Sequence, residues 1–470
     1  MKKQPDIYNN MKTALRWLPG AIFLMVISVA CSKDFLDAKP SQVLGIPTTI
    51  NDFLLLLNNS QVFNARQPYE GEESADNYYI GSTYFLTRNV LDQNIYTWAP
   101  GDVYQGASIA EWNNAYSEVW YSNVILEGID KVTATPLNQS DWNNVKGAAL
   151  FSRAYTFYNL AQIFSRPYVQ SSANTDPGLI LRLSSDYTVA TGRSSIQQSY
   201  NQIIQDLLLA KTLLPVKPAG NNTFLPSKTA ALAMLARVYL SMQDYDNAYL
   251  YADSCLQLNK ELMDYNAFAG STDVYPIPFN NSETLYATYL SNTNMFPSYA
   301  GGGIPDSALL QSYAPNDLRR TLFFKTTGSR TYFSGTYLSL TGNNFNGLAT
   351  DEVYLVRAEC NARKGRLDSA MNDLDTLLTY RWKTGTFVPL KATSVDSALK
   401  MILAERRKEL VYRATRWTDL RRLNLDAAYA VTIRRNINGQ IYTLPPNDNR
   451  YTLPIPDNEI LLSGVPQNPR

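Results

Sequence analysis

From Ser227 onward apolar positions return every three to four residues, and Leu232, Leu235, Tyr239 and Met242 fall on one stripe, the spacing of an amphipathic helix. Ser227, directly after Pro226, is a good N-cap for it. Gln243-Asp244 interrupt the pattern and a second helical run carries Tyr251, Cys255 and Leu258, so the segment predicts a helix hairpin. The arrangement returns further on: Ala358 and Ala370 repeat the spacing of Ala236 and Ala248, with Gly365 at the turn. An earlier copy opens at Lys146-Gly-Ala-Ala-Leu150, matching Lys228-Thr-Ala-Ala-Leu232, and continues through Arg153, Ala154, Phe157 and Leu160. Small residues at these places let paired helices cross closely.

The copies look like divergent tetratricopeptide-type units, near 110–165, 195–260, 350–382 and 394–425. They predict an all-α fold, a single globular domain on four tetratricopeptide-like helix pairs. The stretches 60–110, 165–195 and 265–350 are rich in Tyr, Asn, Gly and Ser with weak periodicity. They predict long irregular loop excursions, where function concentrates.

Lys2, Lys3, Lys12 and Arg16 precede an apolar run from Ala21 to Ala30, long enough for a signal-peptide core and short of the roughly 20 residues that span a bilayer. The run ends in Ser28-Val29-Ala30-Cys31, which resembles a bacterial lipobox. It predicts a lipoprotein signal peptide over 1–30, acylation of Cys31 and a mature domain over 31–470. No later segment is apolar enough to span, so the expected attachment is an acyl anchor.

The 470 residues are 45% hydrophobic and 18% charged, the composition of a globular protein. Lys+Arg 42 against Asp+Glu 41 leaves +1, which gives no general attraction for nucleic acid. The absence of histidine removes every mechanism that uses imidazole as base, shuttle or zinc ligand. Cys255 and Cys360 lie in helical apolar segments and predict buried thiols rather than a disulfide. No cofactor or metal is expected.

Two motifs imitate catalytic signatures. Ser397-Ala-Leu-Lys400 and Lys383-Thr-Gly385 match elements of penicillin-recognising enzymes, but in those the Lys-Thr-Gly strand follows the nucleophile and here it precedes it. Glu405 and Glu409 stand one helical turn apart with Arg406, Arg407 and Lys408 between. Such charges are expected to pair with neighbours, because glycoside cleavage needs two acids facing each other across a cleft. Gly301-Gly-Gly303 lacks a phosphate-cradle lysine and predicts a flexible loop.

Six ordered segments carry a wider resemblance. They are Cys31-Ser-Lys-Asp-Phe-Leu-Asp37 with Pro40; Trp112-Asn-Asn-Ala-Tyr116 with Asn123; and Arg153-Ala-Tyr-Thr-Phe-Tyr158. Next come Pro305-Asp-Ser-Ala-Leu309 with Asp317 and Arg319, ahead of Glu352-Val-Tyr-Leu-Val-Arg-Ala-Glu359. Glu405-Arg-Arg-Lys-Glu-Leu410 with Arg416-Trp-Thr-Asp-Leu-Arg421 is the most specific, and Leu453-Pro-Ile-Pro456, Glu459 and Gln467-Asn-Pro469 close the series. In these the chain resembles the SusD/RagB family of nutrient-uptake outer-membrane lipoproteins of Bacteroidetes. Arg413-Ala-Thr departs from the family's usual acidic-glycine step before Arg416-Trp417.

The resemblance implies a surface-exposed protein, lipid-anchored to the cell outer membrane, that binds oligosaccharide (glycan). It also implies delivery of that ligand to a SusC-like TonB-dependent transporter, which the protein covers as an extracellular lid, without catalysis. A peptide ligand in the same role is the close second, and a secreted glycan-degrading enzyme is the competing class.

Sugars and peptides need flat apolar faces beside hydrogen-bonding side chains. The loop 72–104 supplies both, with Asp76, Asn77, Tyr78, Tyr79, Tyr84, Arg88, Tyr96, Trp98 and Tyr104. Asp76, Tyr78, Arg88, Trp98 and Tyr299 are the expected ligand-binding residues, with Tyr78 and Trp98 preferred for stacking because polar residues surround them. Phe296 and Tyr299 form a second expected rim beside the glycines at 301–303.

Overall fold

Eight helices make the frame: α1 (Ala110–Ile129), α2 (Gln139–Phe164), α3 (Ile196–Leu213), α4 (Lys228–Ser241), α5 (Tyr245–Leu258), α6 (Thr350–Arg363), α7 (Leu367–Thr379) and α8 (Val395–Glu409). A shorter helix, α9 (Arg416–Leu423), follows. The computed structural model describes residues 47–290, 294–339 and 343–470, so Cys31 and the expected signal peptide lie outside the described residues. From α1 to α7 each helix packs on the next, and α8 closes on α6 and α7. The pairs of the repeat alignment are α1 with α2, α4 with α5 and α6 with α7, and α3 stands between the first two. The stretch 195–260 holds three helices rather than one pair, because α5 packs on both α4 and α6 across the longest excursion.

Local chemistry explains where the helices begin. Ser227 caps α4 by accepting from the Ala230 N–H at 3.2 Å. Ser195 and Ser394 form capping boxes with Gln198 and Ser397, so Ser397 serves a helix start. Between α4 and α5, Gln243 turns the chain at φ 60 and Asp244 accepts from the Asn247 N–H; Gly365 does so between α6 and α7 at φ 73. Ala236, Ala248, Ala358 and Ala370 are all fully buried, as the repeat alignment predicts. The one-sided stripe expected on α4 is wider than predicted. Ala230, Ala231, Ala233 and Ala236 are as buried as Leu232 and Leu235, since neighbours cover the helix on several sides. Cys255 and Cys360 are free and buried, and burial pushes the Cys255 thiol up to about 12.

Charges fasten the frame from inside. Arg153 of α2 grips Asp206 of α3 through two bonds of 2.8 Å, and Arg422 of α9 grips Glu359 of α6 at 2.7 and 2.8 Å. The charged stretch of α8 is paired as expected: Glu405 with Arg319 at 2.6 Å, Arg406 with Asp419 at 2.9 Å, and Glu409 with Arg381 at 2.7 Å and Arg319 at 2.8 Å.

Among the described residues the segments outside the helical frame carry five two-stranded sheets, too small to alter the all-α class. Two matter for the site. In one, β1 (Tyr78–Ile80) pairs antiparallel with β2 (Gly303–Pro305), setting Tyr79 opposite Ile304. The other is the hairpin of β3 (Ile433–Ile437) and β4 (Gln440–Leu444). No helix among the described residues is long and apolar enough to cross a membrane.

Candidate functional site

The pairing of β1 with β2 brings together two loops that the sequence offers separately, 72–104 and 265–350. A short helix over Glu70–Ser74 leads into β1 and is fastened by the segment after α8. The Ala414 N–H donates to Glu72 at 2.9 Å, Arg416 holds the Asp76 carboxylate at 2.6 and 2.7 Å, and Arg407 donates to Asn77 Oδ1 at 3.1 Å. The Tyr412 hydroxyl donates to the Asn77 carbonyl at 2.9 Å. The most specific sequence motif is thus the platform on which β1 is mounted.

Asp76 is therefore a positioning group. Burial alone would raise its pKa, but the Arg416 guanidinium, with Arg407 behind it, holds the carboxyl well below the usual carboxylate range. Glu72 has hydrogen bonds from Asn77 and Ala414, and burial outweighs these and the nearby Arg416 charge, pushing it up to about 7.

Tyr78 and Trp98 are core residues, contrary to expectation. Tyr78 is 3% exposed, with its ring edge-on to Phe296 at 5.7 Å and its hydroxyl donating to the Glu73 carbonyl. Trp98 is 1% exposed and donates Nε1–H to the Ser74 carbonyl at 3.1 Å. The Arg435 guanidinium lies 4.4 Å from its ring and 3.6 Å from that of Tyr96. Neither ring is exposed, although Tyr78 contributes to the lining of a cleft beside β1. Phe296, fully buried, is likewise packing rather than rim.

The exposed ring is Tyr79, at 47%. Successive side chains of a strand point to opposite faces, so Tyr78 and Ile80 enter the core and Tyr79 leaves it. Tyr79 faces a cleft of about 410 Å³, which Asp306, Arg407, Arg434 and Asn436 also line. The same alternation along β3 buries Ile433, Arg435 and Ile437 and turns Arg434 and Asn436 outward. The cleft therefore sets the exposed Tyr79 ring, with the buried Tyr78 and Tyr96 behind it, among guanidinium, carboxylate and amide groups. Its two carboxylates are already committed: Asp76 to Arg416, and Asp306 to the Leu309 N–H and to Arg407 at 3.5 Å.

Arg88 and Tyr299 flank β1 and β2. The Arg88 guanidinium lies over the Tyr84 ring at 4.3 Å, and Tyr84 donates to the Asn294 carbonyl. Tyr299 is 51% exposed and edge-on to Tyr332 at 5.2 Å. The glycines between are a close-packed joint rather than the flexible loop expected. A Cβ on Gly302 would lie 2.1 Å from the Tyr84 ring, and one on Gly303 2.5 Å from the Met295 carbonyl.

Among the described residues one group of acids converges closely enough to suggest a cation: Glu283, Asp351 and Glu409, with oxygens within 4.8 Å of one another. Guanidinium fills it instead. Arg381 binds Glu283 and Glu409 at 2.8 and 2.7 Å, and Arg413 binds Asp351 at 2.7 Å.

Comparison with known proteins bears on this architecture. A family model described as starch-binding associating with outer membrane matches residues 34–240, and the model of the SusD family matches 260–470. The chain belongs to the SusD/RagB family. SusD-like protein P2 of Formosa agariphila is 24% identical over 430 residues, covering 77% of this chain and 81% of that protein. Among solved structures of the SusD superfamily, one from Bacteroides thetaiotaomicron superposes with a TM-score of 0.74 at 23% identity, covering 90% of this chain and 100% of its own. A SusD-like carbohydrate binding protein from Bacteroides vulgatus gives 0.67 at 19% identity, covering 89% and 97%. The SusD/RagB frame is thus shared across nearly the whole length, at identities low enough for the excursions to differ.

Proposed function

We propose that the protein is a binding protein for oligosaccharide that takes its ligand at the Tyr79 cleft. It acts as a surface-exposed lipoprotein, anchored through Cys31 to the outer membrane, and delivers glycan to a TonB-dependent transporter as its extracellular lid. The observation that carries this reading is the half-exposed Tyr79 ring, held on a rigid strand beside Arg434, Asn436, Asp306 and Arg407. A pyranose presents an apolar face to such a ring and hydroxyls to such neighbours. Support also comes from the family description, which names starch binding and the outer membrane. With both cleft carboxylates engaged, the cleft suits retention of a ligand rather than cleavage.

Electrophoresis in gels containing single polysaccharides tests the reading. The protein is expected to be retarded by at least one glycan, to release no new reducing ends from it, and to co-purify with a transporter from mild detergent. Free migration in every glycan with saturable binding of peptides would replace sugar by peptide, and release of reducing ends would make it an enzyme.

A further inference from the structure

A second cavity, of about 200 Å³, lies between the C-terminal end of α2 and the turn after β4, and none of its lining residues belongs to the Tyr79 cleft. Arg421, Asn424 and Tyr451 line it, each 3% exposed. Arg421 gives its terminal nitrogens to the Gln162 and Ser165 carbonyls, where α2 ends, as suits a cation at a helix C-terminus. Its Nε has no hydrogen-bond partner in the protein. Asn424 accepts from the Val431 N–H through Oδ1 at 2.9 Å, and its Nδ2 has only the Tyr451 hydroxyl near it. Tyr451 stacks on Trp417 at 4.7 Å, and its hydroxyl interacts with the Asn424 side chain without forming a full hydrogen bond.

Buried polar groups in native proteins are satisfied as a rule, so an unmet guanidinium nitrogen beside a weakly paired amide and hydroxyl at one cavity marks a place built for something else. All three can donate. No carboxylate is paired with Arg421 among the described residues, and burial pushes its pKa down to about 10. The acids at the rim are occupied: Asp448 by Arg450 at 2.8 Å and Asp176 by the Ser172 hydroxyl at 2.6 Å. Arg166 adds a second cation there, bonded to Asn449 at 2.7 Å.

We propose that this cavity binds a small oxyanion group, taken by Arg421 Nε, Asn424 Nδ2 and the Tyr451 hydroxyl. A guanidinium beside neutral donors is the chemistry that recognises a carboxylate, sulfate or phosphate. The cavity has room for a free oxyanion or for one acidic sugar residue. This inference does not depend on the reading of the Tyr79 cleft.

Titration of the mature protein with sulfate, phosphate, glucuronate and, as a neutral control, glucose tests it, read by calorimetry and by the fluorescence of Trp417 against Tyr451. At least one anion is expected to saturate and glucose to give no signal. Binding of glucuronate identifies an acidic sugar, and binding of the inorganic anions without it identifies a free oxyanion. Tyr451→Phe, which removes one oxygen, is expected to weaken binding about five-fold. Asn424→Asp keeps the acceptor for Val431 but sets a negative charge in the cavity, and is expected to abolish binding with the fold retained. No saturable signal from any anion, or an affinity unchanged in both variants, overturns the proposal.

Discussion

Tyr78 and Tyr79 are adjacent in the chain and lie on opposite faces of one strand, the first 3% exposed and the second 47%. In a strand one step in sequence changes the face, so the two residues must answer differently to the same substitution. Tyr78→Ala empties a site packed by Phe296 and Tyr96 and is expected to cost about 3–5 kcal/mol. Tyr79→Ala is expected to stay within about 0.5 kcal/mol of wild type. Thermal melts decide it, and equal losses would contradict the register of β1.

Glu409 is the shared acid of the central ion network, bonded to Arg381 and Arg319. Burial alone would raise its pKa, but Arg381, then Arg319, bring it down to about 2 from an ordinary 4.5. A depressed carboxyl binds its proton less readily folded than unfolded, so its stabilisation is present above about pH 4.5 and is lost as pH falls towards 2. Glu409→Gln leaves two buried guanidiniums short of a partner and is expected to cost about 3–5 kcal/mol at pH 7. Urea midpoints across pH 2–7 are expected to fall less steeply in the variant, and parallel curves would show the network to be inert.

Ala414 departs from the glycine that its family resemblance leads one to expect, and it sits at φ 57. A left-handed conformation costs an L-residue about 1–2 kcal/mol, partly offset by the extra freedom glycine has when unfolded. Ala414→Gly is therefore expected to stabilise by up to about 1 kcal/mol, keeping the bond from its N–H to Glu72. A lower denaturation midpoint in the variant would contradict this.

Ala236 and Ala358 occupy equivalent, fully buried places in α4 and α6. A leucine at either has to push a neighbouring helix aside, at about 1–3 kcal/mol or more. Melts of Ala236→Leu and Ala358→Leu that match wild type would remove the equivalence.

The frame was legible because its signals are local: Ser227, Gln243-Asp244 and Gly365 mark helix ends, and the alanines mark crossings. The charges of α8 were legible as paired, though not their partners, since Arg319 and Arg381 arrive from other parts of the chain. The site was legible to the loop and not to the residue. A three-residue strand is too short to show its alternation, so Tyr78 and Tyr79 look alike in sequence. Trp98 has polar sequence neighbours, but the fold lays Arg435 across it from far downstream. Arg434 and Asn436 went unnoticed although Ile433, Arg435 and Ile437 alternate with them, a five-residue pattern that held the signal.

The central claim is that Tyr79 supplies the stacking face for glycan. Titration calorimetry of wild type and Tyr79→Ala, with the oligosaccharide selected by gel retardation, tests it most directly. Losing a ring that buries against a sugar is worth roughly 1.5–3 kcal/mol, so affinity is expected to fall about ten-fold or more with the melting temperature unchanged. An affinity equal to wild type in Tyr79→Ala would place the ligand elsewhere and contradict the account.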